Sequence, residues 1–222
     1  MTSRFKSKKQ IVYDQLRQEI IEGVHPPGTR LIIDEQASRL GVSQIPIREA
    51  VHQLESDGFV VIIQHVGATV TELDAKFIYE IFALLESMEV ICCRTACQTI
   101  TDDQLGDLSQ LIDNMENNLD DLHLWSEQNK AMHLLLCDIA QTDLVRKMML
   151  KVFDHWERLR YHYLTRVLGH RIEEAHAEHK QILEALRQRD ADEVEQIVRL
   201  HNRSALQSYI QYLQKAGHLT IE

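Results

Sequence analysis

The chain is predicted to be mainly α, with an N-terminal winged helix-turn-helix followed by an antiparallel all-α bundle of six or seven helices. Three observations carry this. Residues 31–70, LIIDEQASRLGVSQIPIREAVHQLESDGFVVIIQHVGATV, run in the order helix, Gly turn, helix, hairpin. From Asp74 onward there is no Pro and little Gly, and apolar residues recur at spacings of three and four. The 222 residues are 44% hydrophobic; setting aside about 70 for the first unit leaves about 150, an ordinary single domain.

Residues 1–9 form a polar basic arm with Arg4, Lys6, Lys8 and Lys9, suited equally to touching phosphates and to plain solvation. A winged helix-turn-helix is then expected over 10–73. Its first helix, Gln10 to Glu22, places Ile11, Val12, Leu16, Ile20 and Ile21 at helical spacing, and Gly23 with the Pro26-Pro27-Gly28 turn closes it. Asp34 can cap a second helix that runs to Leu40 and stops at Gly41. A third spans Gln44 to Asp57, with Ser43 as N-cap and Pro46 in the first turn, where a missing N–H costs nothing. Ile47, Ala50, Val51, Leu54 and Phe59 make its buried seam, leaving Gln44, Ile45, Arg48, His52 and Glu55 on the outside. Phe59–Ile63 and Ala68–Glu72 are β-branched and apolar, and the short link Gln64–Gly67 makes them a hairpin wing.

Such a unit sets its recognition helix into a DNA major groove, N-terminal residues against base edges. Ser43, Gln44, Ile45 and Arg48 are therefore the candidate readers, and His65 at the wing turn the candidate contact to minor groove or backbone. Gln pairs with adenine, Arg with guanine, and Ile can touch a thymine methyl. The alternative is a small α/β unit whose outer residues are merely solvated. A net charge of −10 argues at first against DNA, but through Glu72 there are eight Lys/Arg against nine Asp/Glu, so the acid lies downstream of the reading head.

Residues 74–222 are expected to form one all-α domain, to which the resemblance given below adds effector binding and dimerisation. Helix starts fall at Asp74, at Thr101 with Gln104 as a capping box, and at Asp121, Thr142 and Gly169; Arg189-Asp190-Ala191-Asp192 turns into the last helix. Cys92, Cys93, Cys97 and Cys137 form no CxxC pair and suit reduced, core-filling thiols. No stretch approaches the roughly 18 apolar residues of a membrane span, and MTSRFKSKK has no apolar signal core, so a cytoplasmic protein with no membrane partner is expected.

Twelve histidines raise the question of a metal site. Asn129 and His133 are four apart and project from one helix face, while His179 and His201 lie on two later helices. If three helices converge, imidazoles would suit Zn, Ni, Mn or Fe and leave coordination positions open. Isolated histidines on solvated or core faces are the other outcome. A metal-dependent enzyme in the bundle is the competing function. Glu173-Glu174-Ala175-His176 is an ExxH, but a di-metal carboxylate bundle needs a second one, and HExxH, P-loop and dinucleotide Gly motifs are absent.

QIVYDQLRQEIIEG, PPGTRL, LGVSQIPIREAVHQLESDGFV and GATV together resemble the DNA-binding domain of GntR-type bacterial transcription regulators, and the likeness extends more weakly over nearly the whole chain. Where that family commonly has SRTP, this chain has Ser43-Gln44-Ile45-Pro46, which changes two side chains at the DNA. FadR-type members carry an all-helical ligand-binding domain of FCD type that holds a metal through an Asp or Asn and a His one turn apart, plus two later His. NKAMH, AEHKQILEAL and RLHNRSAL are similar to those segments, which implies Asn129, His133, His179 and His201 as ligands of a divalent transition metal. An amide oxygen coordinates more weakly than a carboxylate. The usual YEVRxxLE reads Tyr79-Glu80-Ile81-Phe82-Ala83-Leu84-Leu85-Glu86 here, with Phe82 where an Arg could clamp an organic acid. Arg158 and Arg160 are alternative clamps, exposed arginines with no partner being the plainer expectation. The resemblance implies a homodimer on a palindromic double-stranded operator, controlled by a small-molecule effector whose binding residues the sequence leaves unknown.

Overall fold

The computed structural model describes residues 6–167 and 171–215; Arg4 and Gly169 of the expectations above lie outside them. The chain divides into two compact units at Leu73 and Asp74.

In the first unit α1 (Lys8–Ile21), β1 (Arg30–Leu31), α2 (Ile33–Leu40), α3 (Gln44–Ser56), β2 (Val60–Ile63) and β3 (Gly67–Val70) follow in order. Helix α1 starts one residue after Ser7, whose hydroxyl accepts from the Gln10 N–H at 3.1 Å, so Lys8 and Lys9 sit in a helical turn rather than in an arm. Helix α2 follows an extended Ile32, which displaces Asp34 from the capping position; Asp34 and Glu35 lie in its first turn, where the helix dipole favours negative charge. Gly41 ends α2 at φ +63°, a left-handed conformation that only Gly adopts without strain. Ser43 occupies the N-cap of α3 in extended conformation, yet its hydroxyl makes no capping hydrogen bond.

Ile47, Ala50, Val51 and Leu54 of α3 pack on Val12, Leu16 and Ile20 of α1 and on Phe59. Two polar clasps fix the helices. Tyr13 Oη donates to Asp57 Oδ2 at 2.8 Å, and Arg39 grips Glu19 with two hydrogen bonds of 2.8 and 2.6 Å. Burial alone would raise the Glu19 carboxyl, but the hydrogen bonds from Arg39 and Gln15 outweigh it and hold the group below its usual range. The sheet order is β1-β3-β2, all antiparallel, with Arg30 opposite Thr69 and Val60 opposite Val70. Strand β1 went unforeseen because two residues carry no periodicity, and the two wing strands are shorter than the five-residue runs expected.

The second unit contains, among the described residues, six helices: α4 (Ala75–Thr99), α5 (Asp102–Glu116), α6 (Leu122–Ile139), α7 (Asp143–Val167), α8 (Ile172–Gln188) and α9 (Ala191–Lys215). Local chemistry sets most starts. Asp74 accepts from Phe77 N–H, Thr101 and Gln104 form a reciprocal capping box, and Asp121 accepts from His123 and Leu124 N–H. Arg189 turns the chain in left-handed conformation and Asp190 Oδ1 caps the following N–H groups of Asp192 and Glu193, so the turn before α9 is shorter than the four residues expected.

Helix α4 is central and packs on α6, α7, α8 and α9. Its partner α9 runs antiparallel, as the contacts of Arg94 with Asp192, Glu89 with Asn202, and Phe82 with Tyr209 require. Leu108, Ile112, Met115, Met132, Leu136, Ile182, Leu186 and Val198 fill the core between α5, α6, α8 and α9. The four cysteines are free and buried. Among the described residues no helix is long and apolar enough to cross a membrane.

Candidate metal and ligand centre

On α6, Asn129 and His133 lie one turn apart and face inward, 5% and 3% exposed. His179 of α8 and His201 of α9 are buried against them. One ring nitrogen from each of His133, His179 and His201 lies within 4.8 Å of the others, and these three form a cluster with metal-ligand potential among the described residues. The rings are held by aromatic packing: His179 stacks on Trp125 with centroids 5.8 Å apart, and His133 tilts against Phe153 at 6.1 Å.

Burial keeps two imidazoles neutral. Burial, and then the charge of His201, push His133 well below the usual histidine range; burial, then His201, His133, His176 and Arg171, do the same to His179. Neutral rings offer a lone pair to a cation. His201 is oriented from behind, its Nδ1 lying 2.7 Å from Glu178 Oε2. Although burial opposes it, hydrogen bonds from His201 and from Arg171 (2.6 Å) hold the Glu178 carboxyl low and ionised. Glu89 is the opposite case. Burial lifts its carboxyl to about 7, against the pull of His201 and of a 2.6 Å hydrogen bond from Asn202 Nδ2. Its Oε1 lies 3.3 Å from His133 Nδ1, close enough for attraction but outside hydrogen-bond geometry, so that nitrogen counts as unpartnered.

Asn129 Oδ1, His133 Nδ1 and both nitrogens of His179 are buried with no hydrogen-bond partner. Orphaned polar atoms of this kind, among them the one lone pair and the one N–H of neutral His179, cost about 1–3 kcal/mol each unless something binds them. A divalent metal fits: three imidazoles with no thiolate suit a borderline cation, and the Asn129 amide lies one turn from His133 on α6. A pocket lined by Phe82, Leu85, Trp125, Phe153, Trp156 and Tyr209 among others opens beside the cluster.

Several residues of this centre were not foreseen. Glu89, Glu178, Arg171, Trp125 and Tyr209 went unnamed, although Trp125 lies one turn before Asn129 on α6, Tyr209 lies two turns after His201 on α9 and Glu89 one turn after Leu85 on α4, so helical spacing was the signal that could have found these three. Arg158 and Arg160 are buried rather than exposed: Arg158 lies over the Phe77 ring, and Arg160 Nη2 is 3.8 Å from Glu127. The guanidinium that lines the pocket is Arg171. The ExxH pair is split, with His176 buried and Glu173 exposed, so it makes no joint site.

In the first unit Ser43, Gln44, Ile45, Arg48 and His65 are all exposed. Ile45 is 68% exposed, Arg48 Nη2 donates to Gln44 Oε1 at 3.1 Å, and His65 turns the wing at φ +65°. Val61, Ile62, Ile63 and Val66 are exposed beside it.

Residues 8–70 match the profile of bacterial regulatory proteins of the gntR family, and residues 80–204 match that of the FCD domain. The uncharacterized HTH-type transcriptional regulator YdhC of Bacillus subtilis is 28% identical over 195 residues, covering 85% of each chain. The HTH-type transcriptional repressor RspR of Escherichia coli is 28% identical over 211 residues, covering 93% of this chain and 90% of its own. Among solved structures, McbR/YncC of E. coli superposes with a TM-score of 0.71 at 20% identity, over 96% of this chain and all of the other, a likeness of fold.

Proposed function

The chain belongs to the GntR family of bacterial regulatory proteins and carries an FCD domain, and from that membership we propose a FadR-type, ligand-responsive regulator with a metal-containing effector site. It acts as a homodimer on a palindromic operator, two winged helices meeting successive major grooves about one helical turn apart. The observation that carries the effector half is the cluster of three buried histidines, two of which line a pocket of the second unit together with Asn129. Asn129, His133, His179 and His201 would hold a divalent transition metal such as Zn, Ni, Mn or Fe. When bound, the metal supplies a Lewis-acidic position for an acceptor atom of the effector, an organic acid being the matching class.

In the reading head Gln44, Ile45 and Arg48 face base edges, Ser43 lies at the helix end, and His65 meets the backbone or minor groove. Effector binding regulates through a coupling free energy: it favours one arrangement of the bundle, and that arrangement alters the fit of two heads to two half-sites. The test is DNA binding of full-length protein to a selected operator and to random duplex. Arg48→Ala is expected to weaken operator binding by about 1–3 kcal/mol and random binding far less. Equal losses on both would remove the base-reading role. Stripping the metal with a chelator is expected to shift operator affinity while leaving random binding unchanged.

A further inference from the structure

We propose that the sulfurs of Cys92, Cys137 and Met149 form a binding site for a soft monovalent metal ion, of the class of Cu(I), inside the helical unit and separate from the histidine centre. None of the three lines the histidine pocket, so the site stands without the effector reading above.

Three sulfur-bearing side chains meet there from three helices, Cys92 on α4, Cys137 on α6 and Met149 on α7. They are 1%, 1% and 0% exposed. The Cys137 thiol donates to Met149 Sδ, the two sulfurs lying 3.6 Å apart, and it is also hydrogen-bonded to the Cys92 thiol. Both outer sulfurs thus lie one hydrogen-bond length from the sulfur of Cys137. With metal–sulfur bonds of about 2.3 Å, two sulfurs so spaced subtend an angle of about 100° at a shared ion, close to the tetrahedral value.

Filling the core is the ordinary use of Met and reduced Cys, and it accounts for each residue singly. It does not account for the grouping. Cys93 and Cys97 are as deeply buried and make no thiol hydrogen bond among the described residues. Cys92 and Cys137 are tied to a hydroxyl as well as to each other: Thr142 Oγ1 lies 3.2 Å from Cys92 Sγ and donates to the Cys137 carbonyl at 3.2 Å.

The donors select the ion. Thiolate and thioether sulfurs suit Cu(I), whereas the imidazoles of the other centre suit borderline divalent metals. The hydrogen bond from Cys137, helped by Thr142 and opposed by burial, holds the Cys92 thiol below its ordinary value; the same hydrogen bond, and then burial, push Cys137 up. One thiolate and two neutral sulfurs balance a single positive charge, so a monovalent ion leaves this dry site neutral and a divalent one leaves it charged. Binding breaks the Cys92 S–H bond, releases that proton to water and forms a sulfur–metal bond, with no change of oxidation state. Thr142 is half-buried in the link between α6 and α7, next to exposed Gln141, and gives the path from solvent to this sulfur.

Anaerobic titration of the reduced, full-length protein with Cu(I) tests the site, read by the ultraviolet absorption of copper–thiolate bonds and by competition with a Cu(I) chelator. Thiolate absorption is expected in the parent and in His133→Ala alike, undiminished by excess Zn(II). Cys92→Ser should lose that absorption and bind about 100-fold more weakly. Met149→Leu, close in volume, should keep the fold and weaken binding about tenfold, while Cys97→Ser, outside the cluster, should change neither. If Cys92→Ser fails to fold, Met149→Leu decides. Absence of thiolate absorption, its loss in His133→Ala, displacement by Zn(II), an equal loss in folded Cys97→Ser, or full affinity in folded Cys92→Ser or Met149→Leu overturns the proposal.

Discussion

Glu178 shows how one side chain outside the ligand set can govern a site. It accepts from His201 Nδ1 at 2.7 Å and from Arg171 at 2.6 Å, and so orients the His201 ring. Glu178→Gln should therefore lower metal affinity about 10- to 100-fold in a chelator competition, with all four proposed ligands intact. Unchanged affinity would reduce Glu178 to a structural ion pair. The same residues set a pH dependence in the metal-free protein. His133 and His179 are held well below 6.5 in the fold but titrate near 6.5 when unfolded, so below that pH the unfolded chain binds more protons and folding weakens. Glu89, raised from 4.5 to about 7, binds its proton in the fold first and opposes this slope between those values. Two histidines outweigh one carboxyl, and a net loss of about 1 kcal/mol per pH unit is expected as pH falls below 6.5. Urea midpoints across that range, with and without Glu89→Gln, check it: the variant should fall more steeply with acid. Of these residues only the histidines and Asn129 were legible in the sequence. Glu178 adjoins His179 in the chain, yet neighbours on a helix point about 100° apart, so adjacency gave no hint of a shared site.

At the scale of elements, what could be read was what is decided locally. The capping box Thr101–Gln104, the caps Asp74 and Asp121, and the Gly41 stop each involve residues within a few positions of one another. Errors came where tertiary contacts compete. Asp34 has the chemistry of a cap, but the pairing of β1 with β3 brings the chain into α2 two residues earlier than that role needs. Lys8 and Lys9 are a local miss instead: Ser7 caps a helix that includes them, a signal as short-range as those that were read. Gly41 permits a clean test of the turn between α2 and α3. A Cβ there would meet nothing within 4 Å, so Gly41→Ala should cost only the backbone term, about 1–2 kcal/mol, measured as a shift in the denaturation midpoint. A neutral result would mean that the turn relaxes out of the left-handed region.

On the whole-molecule scale, the two units divide the work by charge and by polarity. The first carries eight of the 24 Lys/Arg against nine of the 34 Asp/Glu, and exposes Gln44, Ile45 and Arg48, the proposed readers; the second carries most of the acid and the buried centre. The fold class was legible because helical periodicity and the Gly-turn pattern span tens of residues, whereas the pocket is assembled from faces of α4, α6, α7, α8 and α9 that only packing brings together. Everything proposed for regulation depends on a metal at the three histidines. Elemental analysis of purified protein, beside His133→Ala, His179→Ala and His201→Ala, tests that claim most directly. About one divalent transition metal per chain in the parent and a marked loss in each folded variant is the predicted result; metal content unchanged in all three variants would contradict it.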